Sequence, residues 1–297
     1  MRDAPFGRTL AAMITPFAGD GSLDLAGARR LAAHLVDRGG CDGLVVNGTG
    51  GESPTTSDAE KTALVRAVVE EVGDRASVVA GVGSADTRHT VALGRAAGAA
   101  GADGLLVVTP YYSRPTQEGI VHHLRAVADA AEVPVMLYDV PARTGEGTAL
   151  TADSLRGLAE HPRVVAVKDC SFDLLKSGLV LADTDLAYYS GSDELTLPLL
   201  SIGASGVVST VANLVGVRVT AMIDAFDKGD AEEAARLHRA LLPLVDAVFG
   251  EVPATVAVKA LFAAAGLPGG PVRSPLLAAG PELTERLAAA LRGAVAA

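Results

Sequence analysis

Two residues in this chain have the type and placement for carbonyl chemistry, and each closes an apolar run. Lys168 ends Val164-Val165-Ala166-Val167 and is followed by Asp169. Tyr138 ends Val135-Met136-Leu137 and leads into Asp139-Val140-Pro141-Ala142-Arg143. A lysine at the carboxyl end of a parallel strand puts an amine where α/β barrels hold their reacting groups. In a dry site the lysine pKa falls, and the neutral amine attacks a carbonyl to give an imine. A phenol beside it moves protons during that step. Each residue also has a plainer reading: a lysine where the chain leaves a strand, and a core tyrosine with a bonded hydroxyl.

Such residues need a scaffold that aligns strand ends. Apolar runs recur at Thr9 to Thr15, Gly43 to Val46, Val78 to Gly81, Leu105 to Val108, Val135 to Tyr138, Val164 to Lys168, Leu186 to Tyr189 and Gly206 to Ser209. Amphipathic stretches separate them. In Asp58 to Val72, Ala63, Leu64, Ala67, Val68 and Glu71 fall at helical spacing, and Ser57 or Asp58 can cap the start. Eight βα units predict an α/β fold, a (β/α)8 TIM barrel; a doubly wound open sheet is the alternative. Beyond the eighth run only helices are expected, at Val219 to Lys228, Ala231 to Phe249, Thr255 to Ala265 and Glu282 to Ala296. Residues 1–212 therefore hold the barrel strands and most helices. Residues 213–297 hold the last barrel helix and a C-terminal helical extension of the same structural unit.

With strand side chains alternating at period two, Lys168 shares a face with Ala166 and Val164, and Tyr138 shares one with Met136. If those faces point inward, amine and phenol converge at the barrel rim. Gly48-Thr49-Gly50-Gly51-Glu52-Ser53 follows the second run. Its successive backbone amides can form an anion nest, or simply a tight turn; the pattern lacks the register of a nucleotide loop. Arg143, just past Tyr138, is placed to clamp a carboxylate, or to sit on the surface.

The rest of the composition narrows the options. Of 297 residues, 49% are hydrophobic and 20% charged, an ordinary globular balance. The net charge of −10, with no basic stripe, gives no reason to expect a nucleic-acid partner. No apolar stretch reaches membrane-spanning length, and Met1-Arg2-Asp3-Ala4-Pro5-Phe6 has no signal-peptide core. Cys41 and Cys170 are the only cysteines, which suits a reducing cytoplasm; Cys170 reads as a buried structural thiol. The six histidines show no ligand spacing, so no metal site is expected.

Four ordered motifs together resemble the dihydrodipicolinate synthase/N-acetylneuraminate lyase family. They are Gly48-Thr49-Gly50-Gly51-Glu52-Ser53, Thr109-Pro110-Tyr111-Tyr112-Ser113-Arg114-Pro115, Tyr138-Asp139-Val140-Pro141-Ala142-Arg143-Thr144-Gly145 and Val167-Lys168-Asp169. The likeness runs from about Thr9 to the carboxyl end. Tyr112 and Arg143 match best those members that condense pyruvate with L-aspartate 4-semialdehyde in lysine and diaminopimelate biosynthesis. The resemblance implies an imine between Lys168 and pyruvate, a proton relay from Tyr138 through Thr49 to Tyr112, and a Tyr112 that arrives from a neighbouring subunit of a homotetramer. It implies that the amides of Thr49 and Gly50 hold the pyruvate carboxylate, with Gly191 and the carbonyl of Val208 near the same site. Arg143 would hold the aldehyde's carboxylate, and no metal or organic cofactor is implied.

Two positions depart from the family pattern. Gly50 stands where a second hydroxyl is usual, and Ser192 where the synthases usually have an aspartate. These leave a second reading, a related pyruvate-dependent aldolase, lyase or dehydratase acting on sialic acid or a 2-keto-3-deoxy sugar acid. A third reading is a barrel kept for binding alone. Ala85 and His89 stand where lysine-inhibited members carry a polar and acidic set, so inhibition by lysine is expected to be weak or absent.

Overall fold

A computed structural model describes residues 3–296; residues 1, 2 and 297, at the edges of the two expected segments, lie outside the described residues. Eight parallel strands close into a barrel: β1 (Thr9–Ala12), β2 (Gly43–Val46), β3 (Ser77–Gly81), β4 (Gly104–Val108), β5 (Val135–Asp139), β6 (Val164–Asp169), β7 (Ala187–Ser190) and β8 (Gly206–Ser209). β8 returns to β1, with Leu10 paired to Val208. The strands are buried on both faces, which is why they read as short continuous apolar runs. Inside the barrel, Leu10, Val45, Val79, Leu106, Met136 and Ala166 form one cluster. Their neighbours Leu44, Val78, Leu105, Leu137 and Val167 face the surrounding helices.

The helix Asp58–Val72 starts on a capping box: Ser57 Oγ accepts from the Glu60 amide at 3.3 Å, and Glu60 Oε2 accepts from the Ser57 amide at 2.8 Å. This reciprocal pairing satisfies two amides that a helix start leaves open. After the barrel come the helices Ala231–Gly250, Ala254–Ala265 and Pro281–Ala296, the expected extension. No single described helix is long and apolar enough to cross a membrane.

Most element ends shift by a residue or so from the sequence reading, and three larger departures each have a physical reason. β1 stops at Ala12, because the Met13 amide turns back to the carbonyls of Ala11 and Val45. Met13, Ile14 and Thr15 are apolar or uncharged because they stay buried above the barrel, not because they are strand. The helix expected from Val219 begins at Ala212; Val215 is non-helical there (φ −138°, ψ 35°), and this kink breaks the periodicity. Val164 does not share the inward face of Lys168. A bulge lies between its pairing with Val135 and that of Ala166 with Met136, and Val164 packs outward. The extra residue, Val165, leans on the inner cluster instead.

Candidate active site

The rim of the barrel is built by register. Val108, Tyr138, Lys168 and Tyr189 are successive Cα partners across β4 to β7. Ladder pairing therefore brings Tyr138 beside Lys168 on the inward face. The lysine Nζ lies 4.3 Å from the centroid of the Tyr138 ring, and both residues are 6% exposed. Burial lowers the Lys168 pKa, against the opposing influence of Cys170 and Asp193. Burial likewise raises that of Tyr138, as does Cys170, while a hydrogen bond with Thr49 and the charge of Arg143 pull it back. The site thus favours an uncharged amine over a protonated phenol, the pair that imine formation needs at its outset.

Because the Lys168 pKa is lowered from the 10.5 of an ordinary amine, the reactive form is present at lower pH. Initial rates against pH should show kcat/KM for pyruvate rising along a limb centred below that value; a limb centred at or above it would contradict the dry site.

The Thr49 loop closes one side. Its turn is held by the Gly51 amide on the Gly48 carbonyl (3.1 Å) and the Glu52 amide on the Thr49 carbonyl (3.2 Å). Those two amides are taken up inside the loop. The loop is anchored from afar. Thr255 Oγ1 donates to the Gly50 carbonyl at 3.0 Å, and Thr15 Oγ1 to the Gly51 carbonyl at 2.6 Å. Glu52, in the left-handed region at φ +55°, is buried and faces Lys259 at 2.6 Å. That contact is a meeting of charges rather than a well-directed hydrogen bond. Its other oxygen accepts from the Arg273 amide at 2.8 Å. At Gly50 an added Cβ would sit 3.3 Å from the Ala12 carbonyl, so a side chain there fits only if its neighbour gives slightly.

Gly191 follows β7 and backs the lysine. A Cβ there would lie 2.3 Å from Cys170 Sγ and 3.0 Å from both Cγ and Cε of Lys168. Gly191→Ala should therefore push the amine out of line and slow imine formation by about 100-fold, the cost of an ångström-scale misplacement. Pyruvate-dependent borohydride trapping, timed by mass spectrometry, reads this directly; trapping at the parent rate would exclude it.

A cavity of about 560 Å³ opens above Thr49, Tyr138, Val140 and Arg143, and extends to Ser84, Ala85, Asp86 and His89. Arg143 lies on the short helix Pro141–Thr144, at its exposed rim. Val208 is fully buried in the inner cluster. Ser192 is buried, and its amide donates to Ser190 Oγ at 3.3 Å. Tyr112 is not brought to this group. It is 93% exposed at φ +68°, and Tyr111 lines the cavity instead.

Sequence reasoning gave no site role to Asp193 or to Cys170, which it read only as a buried structural thiol. Burial raises the Cys170 thiol to about 11, against the lowering influence of the Lys168 charge. Asp193 accepts from the Ser209 hydroxyl and from the Thr210 amide at 3.1 Å; burial raises its carboxyl to about 6. The period-two continuation of β6 past Lys168 is the signal that could have pointed Cys170 inward.

The model of the Dihydrodipicolinate synthetase family matches residues 5–294. The 4-hydroxy-tetrahydrodipicolinate synthase 1 of Streptomyces coelicolor is 61% identical over 288 residues, 97% of this chain and 93% of that protein. The 4-hydroxy-tetrahydrodipicolinate synthase of Acidothermus cellulolyticus is 57% identical over 97% of this chain and 92% of its own length. Among solved structures, a dihydrodipicolinate synthase of Bacillus anthracis superposes with a TM-score of 0.93 at 38% identity, covering 98% of this chain and 99% of that one. The Acinetobacter baumannii dihydrodipicolinate synthase, solved with pyruvate, superposes with a TM-score of 0.92 at 32% identity, covering 98% and 99%. A lysine laid over a tyrosine at the mouth of an eight-stranded barrel, matched over nearly its whole length, makes this chain a member of the dihydrodipicolinate synthetase family.

Proposed function

We propose that this chain is a 4-hydroxy-tetrahydrodipicolinate synthase, a lyase that condenses pyruvate with L-aspartate 4-semialdehyde through an imine on Lys168. The observation that carries the mechanism is the buried Lys168 amine 4.3 Å over the Tyr138 ring. The neutral amine adds to carbon 2 of pyruvate, and loss of water gives the imine. The imine draws electrons from carbon 3, which loses a proton and attacks the aldehyde carbon; the amino group of the semialdehyde then adds to the imine carbon, closing the ring and expelling the Lys168 amine, so that one water is lost overall. Tyr138 passes protons to and from the carbinolamine and enamine, with Thr49 as the next hydroxyl. The amides of Thr49 and Gly50 hold the pyruvate carboxylate, and Arg143 at the cavity rim takes that of the aldehyde. Gly191 leaves room for the lysine, and the family resemblance assigns the Val208 carbonyl to the neighbourhood of the pyruvate carboxylate.

The exposure of Tyr112 supports the reading in which it completes the relay of a neighbouring subunit, within a homotetramer of cytoplasmic enzyme. Full-length identity to proteins named for this reaction favours it over the sugar-acid aldolases, despite Gly50 and Ser192. The purified chain should convert pyruvate and L-aspartate 4-semialdehyde, and borohydride with pyruvate should add to the Lys168 peptide. An adduct without turnover of the semialdehyde would move the assignment to a related aldolase, and no adduct would remove it.

Where lysine-inhibited relatives carry a polar and acidic set, His89 here meets Asp58 at 2.9 Å and Ala85 offers no carboxylate. Inhibition by L-lysine should be weak or absent; half-inhibition at submillimolar lysine would sink this expectation.

A further inference from the structure

The residues that follow the two reacting side chains form a second cluster on the other face of the same strands. Asp139 follows Tyr138, Asp169 follows Lys168, and the two aspartates are Cα partners one step beyond the Tyr138–Lys168 pair. Strand alternation turns their carboxylates away from the barrel interior. Both are buried, at 0% and 4% exposed. Lys176, on the helix Leu174–Asp183, reaches between them with its Nζ 2.6 Å from Asp139 Oδ2 and 3.8 Å from Asp169 Oδ1. It is itself only 7% exposed.

The remaining partners are neutral. The Leu150 amide donates to Asp139 Oδ1 at 3.2 Å, and the Ser171 amide to Asp169 Oδ1 at 2.7 Å. Ser177 Oγ donates to Asp169 Oδ2 at 3.0 Å, and so does the Tyr188 hydroxyl. Among the described residues, Lys176 is the one cation within ion-pair distance of both carboxylates. Two buried like charges on paired strands repel, and a cation between them reverses that force and favours one separation. The backbone carries the setting inward, since the Cys170 amide donates to the Asp139 carbonyl at 2.8 Å.

We propose that Lys176 is a positioning residue that fixes the spacing of Tyr138 and Lys168 by tying together the aspartate that follows each. It touches neither substrate nor reacting atom. The role rests on imine formation at Lys168, and it predicts a defect in the rate of that step rather than in pyruvate binding, whose contacts lie on the Thr49 loop.

The test is Lys176→Met in the full chain, with pyruvate-dependent borohydride trapping of Lys168 followed in time and to completion. The expected result is full stoichiometry, trapping roughly tenfold slower or more, and a matching fall in kcat with KM for pyruvate within about twofold. Trapping at the parent rate, or a loss of stoichiometry that alone accounts for the fall in kcat, would overturn the role. Lys176→Met/Asp139→Asn removes one charge of each sign and guards against a single variant that does not fold. It should fold and trap slowly; trapping at the parent rate in the folded double variant also overturns the role. If the parent chain traps no pyruvate, the imine reading fails and this role with it. A parent that traps beside an unimpaired Lys176→Met protein removes only the role of Lys176.

Discussion

Lys168→Met should lower kcat by roughly four orders of magnitude or more, the scale on which deleting a covalent nucleophile is felt. At 1.36 kcal/mol per decade that is about 5 kcal/mol of lost transition-state stabilisation. Methionine keeps the length of the side chain and its packing over the Tyr138 ring while removing the amine. The fold should not suffer, because the substitution also relieves the burial of a group that is only 6% exposed. Three measurements together check this: the coupled condensation assay, the mass of the borohydride-treated peptide, and the melting temperature. Residual turnover above a hundredth of the parent, or an adduct on any other lysine, would show that the imine forms elsewhere.

Lys259→Met is expected to give the largest loss of stability. Lys259 is 3% exposed; it meets Glu52 at 2.6 Å, donates to the Pro271 carbonyl at 2.8 Å and lies 4.2 Å from the centroid of Phe17. Removing it strands a buried carboxylate, which costs about 3–5 kcal/mol. For a chain of this size that corresponds to a fall in Tm of roughly 5–8 °C. Activity should fall as well at temperatures where the protein stays folded, because Glu52 directly follows the loop that carries Thr49. Glu52→Gln/Lys259→Met removes both charges and should recover most of the stability. Calorimetry of the two variants decides the matter; a single variant within 1 kcal/mol of the parent, by the scale of an exposed pair, would mean that the ion pair is effectively solvated.

The barrel was legible because its strands are buried twice over. Short apolar runs ending in glycine, proline and polar residues marked all eight strands, and the Asp58–Val72 helix matched its expected ends. Legibility failed where burial imitates strand, at Met13 to Thr15, and where one residue inserts, at Val164 and Val165. Neither leaves a trace in hydrophobic pattern. At the site, Tyr138 and Lys168 were readable because neighbouring parallel strands align their last residues. Glu52 and Lys259 were not, since nothing local announces a partner so far along the chain. Asp139, Asp169 and Lys176 drew no separate reading from the sequence, although the aspartates at matching steps already held the clue. Tyr112 shows the opposite limit: one chain presents it to solvent, and its proposed role needs a second.

The anchoring of the Thr49 loop by Thr255, Lys259 and Arg273 also orders events in time. A chain made from its amino end exposes the lysine, the tyrosine and the loop well before the anchoring helix has emerged. Until Ala254–Ala265 docks, Glu52 has no cation and Gly50 no hydroxyl donor. A stalled or clipped product would carry every reacting residue and still lack an organised carboxylate seat. The loop is therefore ordered only after a helix more than 200 residues further along the chain has packed against it.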